Sequence, residues 1–175
     1  MSLQGKTAVV IGASGQHNFG VAIARAFAAD GAKVIVSGRR IEPLKALADE
    51  LGGLAIACDM SDEASIKALF ETATEQAGPI HIAVNSAGVL AGNPIAALTR
   101  EAIQPTLDVS FTGALLMFRY AAEAMTEGGS VITISSLTAR LPGPGLAVYA
   151  AARAGIDYAI KIAAVEYGQI GRAHV

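Results

Sequence analysis

The sequence predicts an α/β fold in which helices cover both faces of a doubly wound parallel sheet. Five short apolar runs alternate with longer segments that have helical periodicity. Strands that are apolar throughout are typical of a parallel sheet buried on both sides, and right-handed helical crossovers join such strands. With 175 residues, of which 53% are hydrophobic and 16% charged, the chain fits one domain with a sizeable core.

The first strand, helix and second strand are predicted from the beginning of the chain. The segment Thr7–Ile11 is rich in β-branched residues and ends at a glycine, which indicates a strand buried on both faces. A helix is predicted over 21–29, and Asp30-Gly31 ends it. The second strand follows at 33–37.

The same alternation continues along the rest of the chain. It predicts helices at 42–51, 61–76, about 100–125 and 149–167, and strands at 54–57, 80–84 and 130–134. Ser61 is predicted to cap the helix that begins there. Asp62 and Glu63 then stand in its first turn, where carboxylates favour the positive end of the helix dipole.

Composition excludes several classes of function. The 13 Lys and Arg residues against 15 Asp and Glu residues give a net charge of −2, without the basic block of a nucleic-acid binder. No apolar run approaches the ~20 residues that a membrane helix needs. A single cysteine, Cys58, forms no internal disulfide, and no signal segment opens the chain, so we expect a cytoplasmic protein. His17, His81 and His174 are isolated along the sequence, and we expect no metal site.

A glycine-rich turn over Gly12–Gly20 joins the first strand to the first helix. Glycines in this context let backbone amides approach a pyrophosphate, although a generic connector of a doubly wound fold has the same composition. Asn18 stands where a middle glycine is usual, and asparagine tolerates the left-handed conformation, so we expect the turn to close. His17 is expected to face water.

Polar motifs follow the fourth and fifth strands. They are Asn85-Ser86-Ala87-Gly88, Ser135-Ser136, and Tyr149 with Arg153 one helical turn later. Together with the glycine turn and Asp59, these motifs resemble the short-chain dehydrogenase/reductase family over nearly the whole chain. The resemblance implies a Rossmann-like fold and the interconversion of a small-molecule carbonyl and alcohol by hydride transfer with a nicotinamide cofactor.

The resemblance assigns catalytic roles to Ser136, Tyr149, Arg153 and Ser110. A phenol with a pKa near 10 is a poor acid or base at neutral pH unless a cation favours the phenolate, and position i+4 of a helix supplies that cation. Tyr149 is the predicted proton donor, and Ser136 would hold the substrate oxygen at a strand end. A half-buried helix tyrosine and a strand-end cap are the structural alternatives for these two residues.

The resemblance also assigns cofactor contacts along the sheet edge. They fall on Gly12, Ser14, Asn18, Phe19, Gly20, Arg39, Asp59, Met60, Asn85, Ala87, Gly88, Tyr149 and Arg153, with Asp59 at the adenine. The second strand ends in Ser37-Gly38-Arg39-Arg40 without a carboxylate for a ribose 2′-hydroxyl. Arg39 offers a contact for a 2′-phosphate, so NADP(H) is predicted over NAD(H). The alternative is two solvated arginines.

Two positions depart from the family pattern. Arg153 replaces a lysine, which keeps the charge but not the contacts of an ammonium with the nicotinamide ribose, and Ser110 replaces an asparagine that helps hold a water in the proton relay. These changes predict slower turnover. They also favour a rival reading, in which the chain is a non-catalytic cofactor-binding or interaction module.

The carboxyl-terminal part carries the last expectations. Residues 1–169 are predicted to be one truncated dinucleotide-binding domain that lacks the family's last strands, and 170–175 (IGRAHV) resembles a translated sequencing adaptor, so we expect a non-native tail. The full-length protein is expected to be a homo-oligomer, as the family resemblance implies. The loops Val89–Pro94 and Leu141–Leu146 are left to line a substrate pocket, although Leu141–Gly145 could equally be a surface turn.

Overall fold

The computed structural model describes residues 2–15 and 18–168. Its strands are β1 (Thr7–Ile11), β2 (Lys33–Gly38), β3 (Leu54–Ala57), β4 (Ile82–Asn85) and β5 (Ser130–Thr133). Its helices are α1 (Phe19–Ala29), α2 (Ile41–Leu51), α3 (Glu63–Ala77), α4 (Arg100–Leu107), α5 (Gly113–Ala124) and α6 (Ala147–Gly168). Short 3₁₀ turns lie at Ile95–Ala97 and Leu137–Ala139, and a π-helical turn at Asp108–Thr112 joins α4 to α5.

All strand pairs of the sheet are parallel, and the strand order is β3-β2-β1-β4-β5. This arrangement confirms the predicted doubly wound α/β fold. The chain leaves β1 toward β2 on one side and returns to β4 on the other, so the strand order reverses between β1 and β4. Ligands of open α/β sheets bind outside the carboxyl ends of the strands at such a reversal.

Two apolar clusters cover the two faces of the sheet. Alternate residues of β1 enter different clusters, Val9 and Ile11 on one face and Val10 on the other, because successive side chains of a strand point in opposite directions. The face with Val9 packs against α3, α5 and α6, and the face with Val10 packs against α1 and α2. Both faces are therefore dry, as the uniformly apolar strands predicted.

The predicted cap of α3 is wrong by one residue. The Ser61 hydroxyl donates to the carboxylate of Asp59 over 2.7 Å, so it does not cap the helix. Asp62 caps α3 instead, and its carboxylate accepts from the backbone N–H of Ala64 over 3.0 Å. Ser61 and Asp62 are both good N-cap residues by type. Because Ser61 is bound to Asp59, Asp62 is the residue that caps the helix.

Other predicted boundaries also shift. The helix predicted over about 100–125 is divided by the π turn, which lies next to Gly113, where an added Cβ would collide with the carbonyl oxygen of Met60. Helix α6 begins at Ala147, so Tyr149 lies inside its first turn rather than at its start. The fourth strand covers 82–85 rather than 80–84.

The remaining expectations concern the three histidines and the tail. His81 is structural: its Nδ1 accepts from the backbone N–H of Thr7 over 3.2 Å, and its side chain is 11% exposed. The predictions for His17, His174 and the tail at 170–175 lie outside the described residues. Within 2–15 and 18–168, no helix is long and apolar enough to cross a membrane. No three His, Cys, Asp or Glu side chains of that part are grouped as a metal site requires.

Candidate active site

A cleft opens at the carboxyl ends of β1, β2, β3 and β4. It is lined by eight of the predicted cofactor residues, namely Gly12, Ser14, Asn18, Arg39, Asp59, Met60, Ala87 and Gly88. The other predicted contacts, Phe19, Gly20, Asn85, Tyr149 and Arg153, do not line the cleft. The fold therefore brings residues from four separate turns to the edge where a doubly wound sheet binds ligands.

The turn after β1 packs directly against the turn after β4. Gly12 has a φ of +90°, and an added Cβ would lie 2.7 Å from the backbone nitrogen of Ala87. An added Cβ on Gly20 would lie 2.6 Å from Ser86 Oγ. The Ser86 hydroxyl donates to the carbonyl oxygen of Ile11 over 2.7 Å and holds the two turns together. Only glycine permits this approach at both positions.

Asn18 closes the glycine turn by capping α1. Its Oδ1 accepts from the backbone N–H of Val21 over 3.0 Å, and its Nδ2 donates to the carbonyl oxygen of Gly12 over 2.7 Å. The turn closes as expected, but without the left-handed conformation that asparagine tolerates, because the φ of Asn18 is −114°, in the extended region usual for an N-cap. The next residue, Phe19, begins the helix with a side chain that is 72% exposed.

Two arginines and one carboxylate stand over the ends of β2 and β3. Asp59 accepts from the Ser61 backbone N–H over 2.9 Å and from the Ser61 hydroxyl, and these hydrogen bonds, with a smaller contribution from Arg39, lower the pKa of Asp59. Arg39 itself is exposed at the cleft. The Arg40 Nη2 donates to the carbonyl oxygen of Ser14 over 2.6 Å, which links this corner to the glycine turn.

Asn85 supports the floor of the cleft from inside the sheet. It is fully buried, and its Oδ1 accepts from the backbone N–H of Ala87 over 3.0 Å. Its Nδ2 is buried without a hydrogen-bond partner among the described residues. Buried amide groups are rarely left without an acceptor in folded proteins.

Tyr149 and Arg153 lie one above the other on α6. The guanidinium carbon of Arg153 lies 5.3 Å from the centroid of the Tyr149 ring, within the range of a cation–π interaction. Arg153 is only 4% exposed, and its Nη2 donates to the carbonyl oxygen of Ala87 over 2.8 Å. A Cβ added at Gly88 would collide with this Nη2. The predicted pairing of phenol and cation is thus present, with the cation fixed at the end of β4.

Two nitrogen atoms of the Arg153 guanidinium lack hydrogen-bond partners among the described residues. They are Nε and Nη1, and both atoms are buried. A buried donor without an acceptor costs free energy, and the cost is greater for a charged group.

Ser136 follows β5 and caps the 3₁₀ turn Leu137–Ala139. Its Oγ accepts from the Thr138 backbone N–H over 3.3 Å and lies 2.8 Å from Thr138 Oγ1. These hydrogen bonds therefore agree with the structural alternative, in which Ser136 is a strand-end cap. The turn packs against α6, the helix that carries Tyr149.

Ser110 lies in the π turn and is fully buried. Its Oγ accepts from the backbone N–H of Val89 over 3.2 Å, which fixes the segment after β4 to the start of α5. This hydrogen bond uses one acceptor site of the hydroxyl and leaves its proton free to be donated.

Sequence reasoning missed three residues whose hydrogen bonds organise the candidate site, and two of them, Arg40 and Ser86, line the cleft. Arg40 and Ser86 stand beside residues that were singled out, and Thr138 stands two residues after Ser136. Adjacency was the only signal in the sequence. Their hydrogen bonds to Ser14, Ile11 and Ser136 join segments or fix a hydroxyl, and these partners depend on the fold.

Comparison with known proteins agrees with this arrangement. A family model described as enoyl-(acyl carrier protein) reductase matches residues 12–173. The D-threitol dehydrogenase of Mycolicibacterium smegmatis is 34% identical over 97% of this chain and 67% of its own length. The 3beta-hydroxysteroid dehydrogenase 1 of Eggerthella lenta is 35% identical over 97% and 67%. The NADP-dependent (R)-specific alcohol dehydrogenase of Lentilactobacillus kefiri is 32% identical over 94% and 67%.

Solved structures of short-chain dehydrogenases are also similar to this chain. The crystal structure of a short-chain-type dehydrogenase/reductase from Mycobacterium marinum is similar with a TM-score of 0.91 and 30% identity, over 98% of this chain and 72% of that one. A short chain dehydrogenase from Mycobacterium smegmatis has a TM-score of 0.92 at 27% identity, over 98% of this chain and 76% of that one. The chain thus spans about two thirds to three quarters of these proteins. It belongs to the short-chain dehydrogenase/reductase family of oxidoreductases.

Proposed function

We propose that the protein interconverts a small-molecule carbonyl and alcohol with NADP(H), with Tyr149 as the proton donor. The observation that carries this proposal is the pairing of Tyr149 with the buried guanidinium of Arg153 beside the cleft. A phenol on a helix face has no structural need of a desolvated cation at its ring. In a proton-transfer site, the cation favours the phenolate that forms when the proton leaves.

The residues around the cleft fit a dinucleotide. Gly12 leaves the close backbone space that a pyrophosphate uses, and Arg39 adds positive charge at the end of β2. Asn85 and Arg153 hold the backbone of Ala87, which lines the cleft, through hydrogen bonds to its N–H and carbonyl groups. When bound, NADP(H) supplies or accepts the hydride at the substrate carbon.

The chain's own groups would handle the proton and the substrate oxygen. For reduction, the Tyr149 hydroxyl gives its proton to the carbonyl oxygen, and the fixed charge of Arg153 stabilises the phenolate left behind. The Ser136 hydroxyl donates a hydrogen bond to the same oxygen and stabilises the charge that develops there. Ser110 holds the segment after β4 in place and retains a proton for a water-mediated relay.

The preference for NADP(H) rests on the arginines at the end of β2. No carboxylate follows that strand, and Arg39 is exposed to a 2′-phosphate while Arg40 is tied to Ser14. The relative from Lentilactobacillus kefiri is named as NADP-dependent. We expect Arg39→Gln to weaken NADPH binding by about tenfold and to leave NADH binding within about twofold, because a charged hydrogen bond is worth about 1.5 kcal/mol.

Calorimetric titration of both cofactors measures this preference. Arg100→Gln is the matched control, since Arg100 is an exposed arginine at the start of α4 and does not line the cleft. It should change neither affinity. Equal binding of NADH and NADPH by the unsubstituted protein contradicts the assignment.

A second candidate function is a cofactor-binding module without catalysis. Arginine at 153 and serine at 110, in place of the family's lysine and asparagine, favour it. NADPH oxidation with a panel of ketones distinguishes the two candidates. Turnover that Tyr149→Phe abolishes supports the enzyme, and tight NADPH binding without turnover supports the module.

We also propose a homo-oligomer formed through α5 and α6. Leu115, Tyr158, Ile162 and Val165 leave apolar side chains 38–67% exposed on these two helices. A second copy of the same pair of helices would bury them, and analytical ultracentrifugation tests for the resulting dimer or tetramer. Ile162→Glu should shift the protein toward the monomer, and an unchanged sedimentation coefficient contradicts the proposal.

A further inference from the structure

The proposed function requires the Ser136 hydroxyl to donate a hydrogen bond to the substrate oxygen. A hydroxyl has one proton and two acceptor lone pairs. The oxygen of a carbonyl substrate accepts hydrogen bonds and donates none. Ser136 can therefore help the reaction only if its single proton points toward the substrate and no neighbouring acceptor takes it.

Both polar groups of the residue two positions further on lie within hydrogen-bond distance of this hydroxyl. The Thr138 backbone N–H already donates to Ser136 Oγ over 3.3 Å. The Thr138 hydroxyl lies 2.8 Å from the same oxygen, and either hydroxyl could be the donor. If Thr138 donates, both lone pairs of Ser136 Oγ are occupied. The only group that Ser136 then has left is its proton.

We propose that Thr138 is a positioning residue that orients the Ser136 proton toward the substrate oxygen. The inference rests on the proposed function and names one more residue that this function needs. Thr138 acts only through Ser136, by donating from both its backbone and its side chain. Both groups belong to the 3₁₀ turn Leu137–Ala139, which Ser136 caps.

Two substitutions at one position distinguish this role from packing. Thr138→Val keeps the shape of the side chain but removes the hydroxyl, and Thr138→Ser keeps the hydroxyl but removes the methyl group. If the residue positions a proton, valine lowers kcat about tenfold, because Ser136 then turns part of its time toward other acceptors. Serine restores at least half of kcat. If the residue only packs, serine is the more damaging change.

Thr133→Val is the matched control. Thr133 lies at the end of β5, and its buried Oγ1 has no hydrogen-bond partner among the described residues. The substitution is chemically identical and lies in the same part of the chain, and it should leave kcat within about twofold. NADPH affinity should be unchanged in all three variants, since none of them lines the cofactor cleft.

The experiment measures NADPH oxidation with a ketone by the full chain and its variants, and NADPH affinity by titration. A Ser136→Ala background completes the cycle: Thr138→Val should have no further effect there, because the hydroxyl that it orients is gone. Three results would overturn this inference and leave the proposed function standing. They are an unchanged kcat in Thr138→Val, a Thr138→Ser variant that does not restore kcat, and an equal loss of kcat on Thr138→Val in the Ser136→Ala background. Absence of turnover by the unsubstituted chain with every ketone overturns the proposed function, and this inference with it.

Discussion

Replacing Gly88 by alanine should displace the guanidinium of Arg153. An added Cβ at Gly88 would collide with Arg153 Nη2, the atom that donates to the carbonyl oxygen of Ala87 over 2.8 Å. The φ of Gly88 is not positive, so alanine meets no backbone penalty there. The whole effect of the substitution therefore comes from the contact with the arginine.

The magnitude follows from the lost hydrogen bond. A hydrogen bond from a charged donor contributes about 1.5–3 kcal/mol, and alanine returns about 0.4–1 kcal/mol by restricting the unfolded chain. The net loss in the free energy of unfolding should be about 1–2 kcal/mol. For a chain of this length, that loss lowers Tm by about 2–8 °C.

A double-mutant cycle with Arg153→Lys isolates the contact. Lysine is shorter and has no Nη2, so the same alanine substitution should cost less than about 0.5 kcal/mol in that background. Gly92→Ala is the control, since Gly92 also lacks a positive φ and its added Cβ would meet nothing nearer than an oxygen 4.0 Å away. Urea unfolding gives the free energies. An equal cost of Gly88→Ala in both backgrounds would refute the reasoning.

Three further predictions concern single residues. Burial raises the pKa of the Cys58 thiol to about 11, so iodoacetamide at about pH 8 should alkylate it roughly a hundredfold more slowly than free cysteine, and rapid labelling contradicts this. Hydrogen bonds in the fold lower the pKa of Asp59. Its carboxylate therefore stabilises the folded protein above the unfolded pKa of about 4, and this stabilisation is lost in acid. The Tm deficit of Asp59→Asn should stay nearly constant from about pH 7 to about pH 5 and shrink as the pH falls below about 4, and a deficit that widens in acid overturns the assignment. Gly12→Ala should lower Tm more than Gly5→Ala, which shares a positive φ but has open space around it, and equal losses would show that the close contact at Gly12 does not matter.

The overall fold could be predicted because each strand is apolar without interruption. Strands such as Thr7–Ile11 are buried on both faces, so their composition reports directly on a covered parallel sheet. The π turn at Asp108–Thr112 could not be predicted in this way. It adjoins a close approach of Gly113 to Met60, and that contact joins residues far apart in the chain.

The ends of the helices depended on partners distant from the helix itself. Ser61 is as good a cap as Asp62 by residue type, and only the bond from Ser61 to Asp59 removes it from that role. At Asn18, the tolerance of asparagine for a left-handed conformation predicts that the turn closes, but it does not predict how. Its two side-chain hydrogen bonds instead close the turn with an extended backbone.

Part of the candidate site could be predicted from the sequence. Spacing on one helix predicted that Arg153 lies beside Tyr149, since i and i+4 share a face. It did not predict that the guanidinium is buried and bound to Ala87, because that contact joins residues far apart in the chain. The hydrogen bonds between Ser136 and Thr138 were likewise not predicted, because they depend on the 3₁₀ turn after β5, which the sequence pattern does not place.

The central claim is tested most directly by NADPH oxidation with a panel of ketones, measured for the unsubstituted chain and for Tyr149→Phe. Phenylalanine keeps the ring under the Arg153 guanidinium and removes only the hydroxyl. Tm should therefore stay within about 2 °C while turnover falls at least a hundredfold, the usual range for loss of a general acid. Oxidation by Tyr149→Phe at the unsubstituted rate, or no oxidation by either protein, contradicts the account.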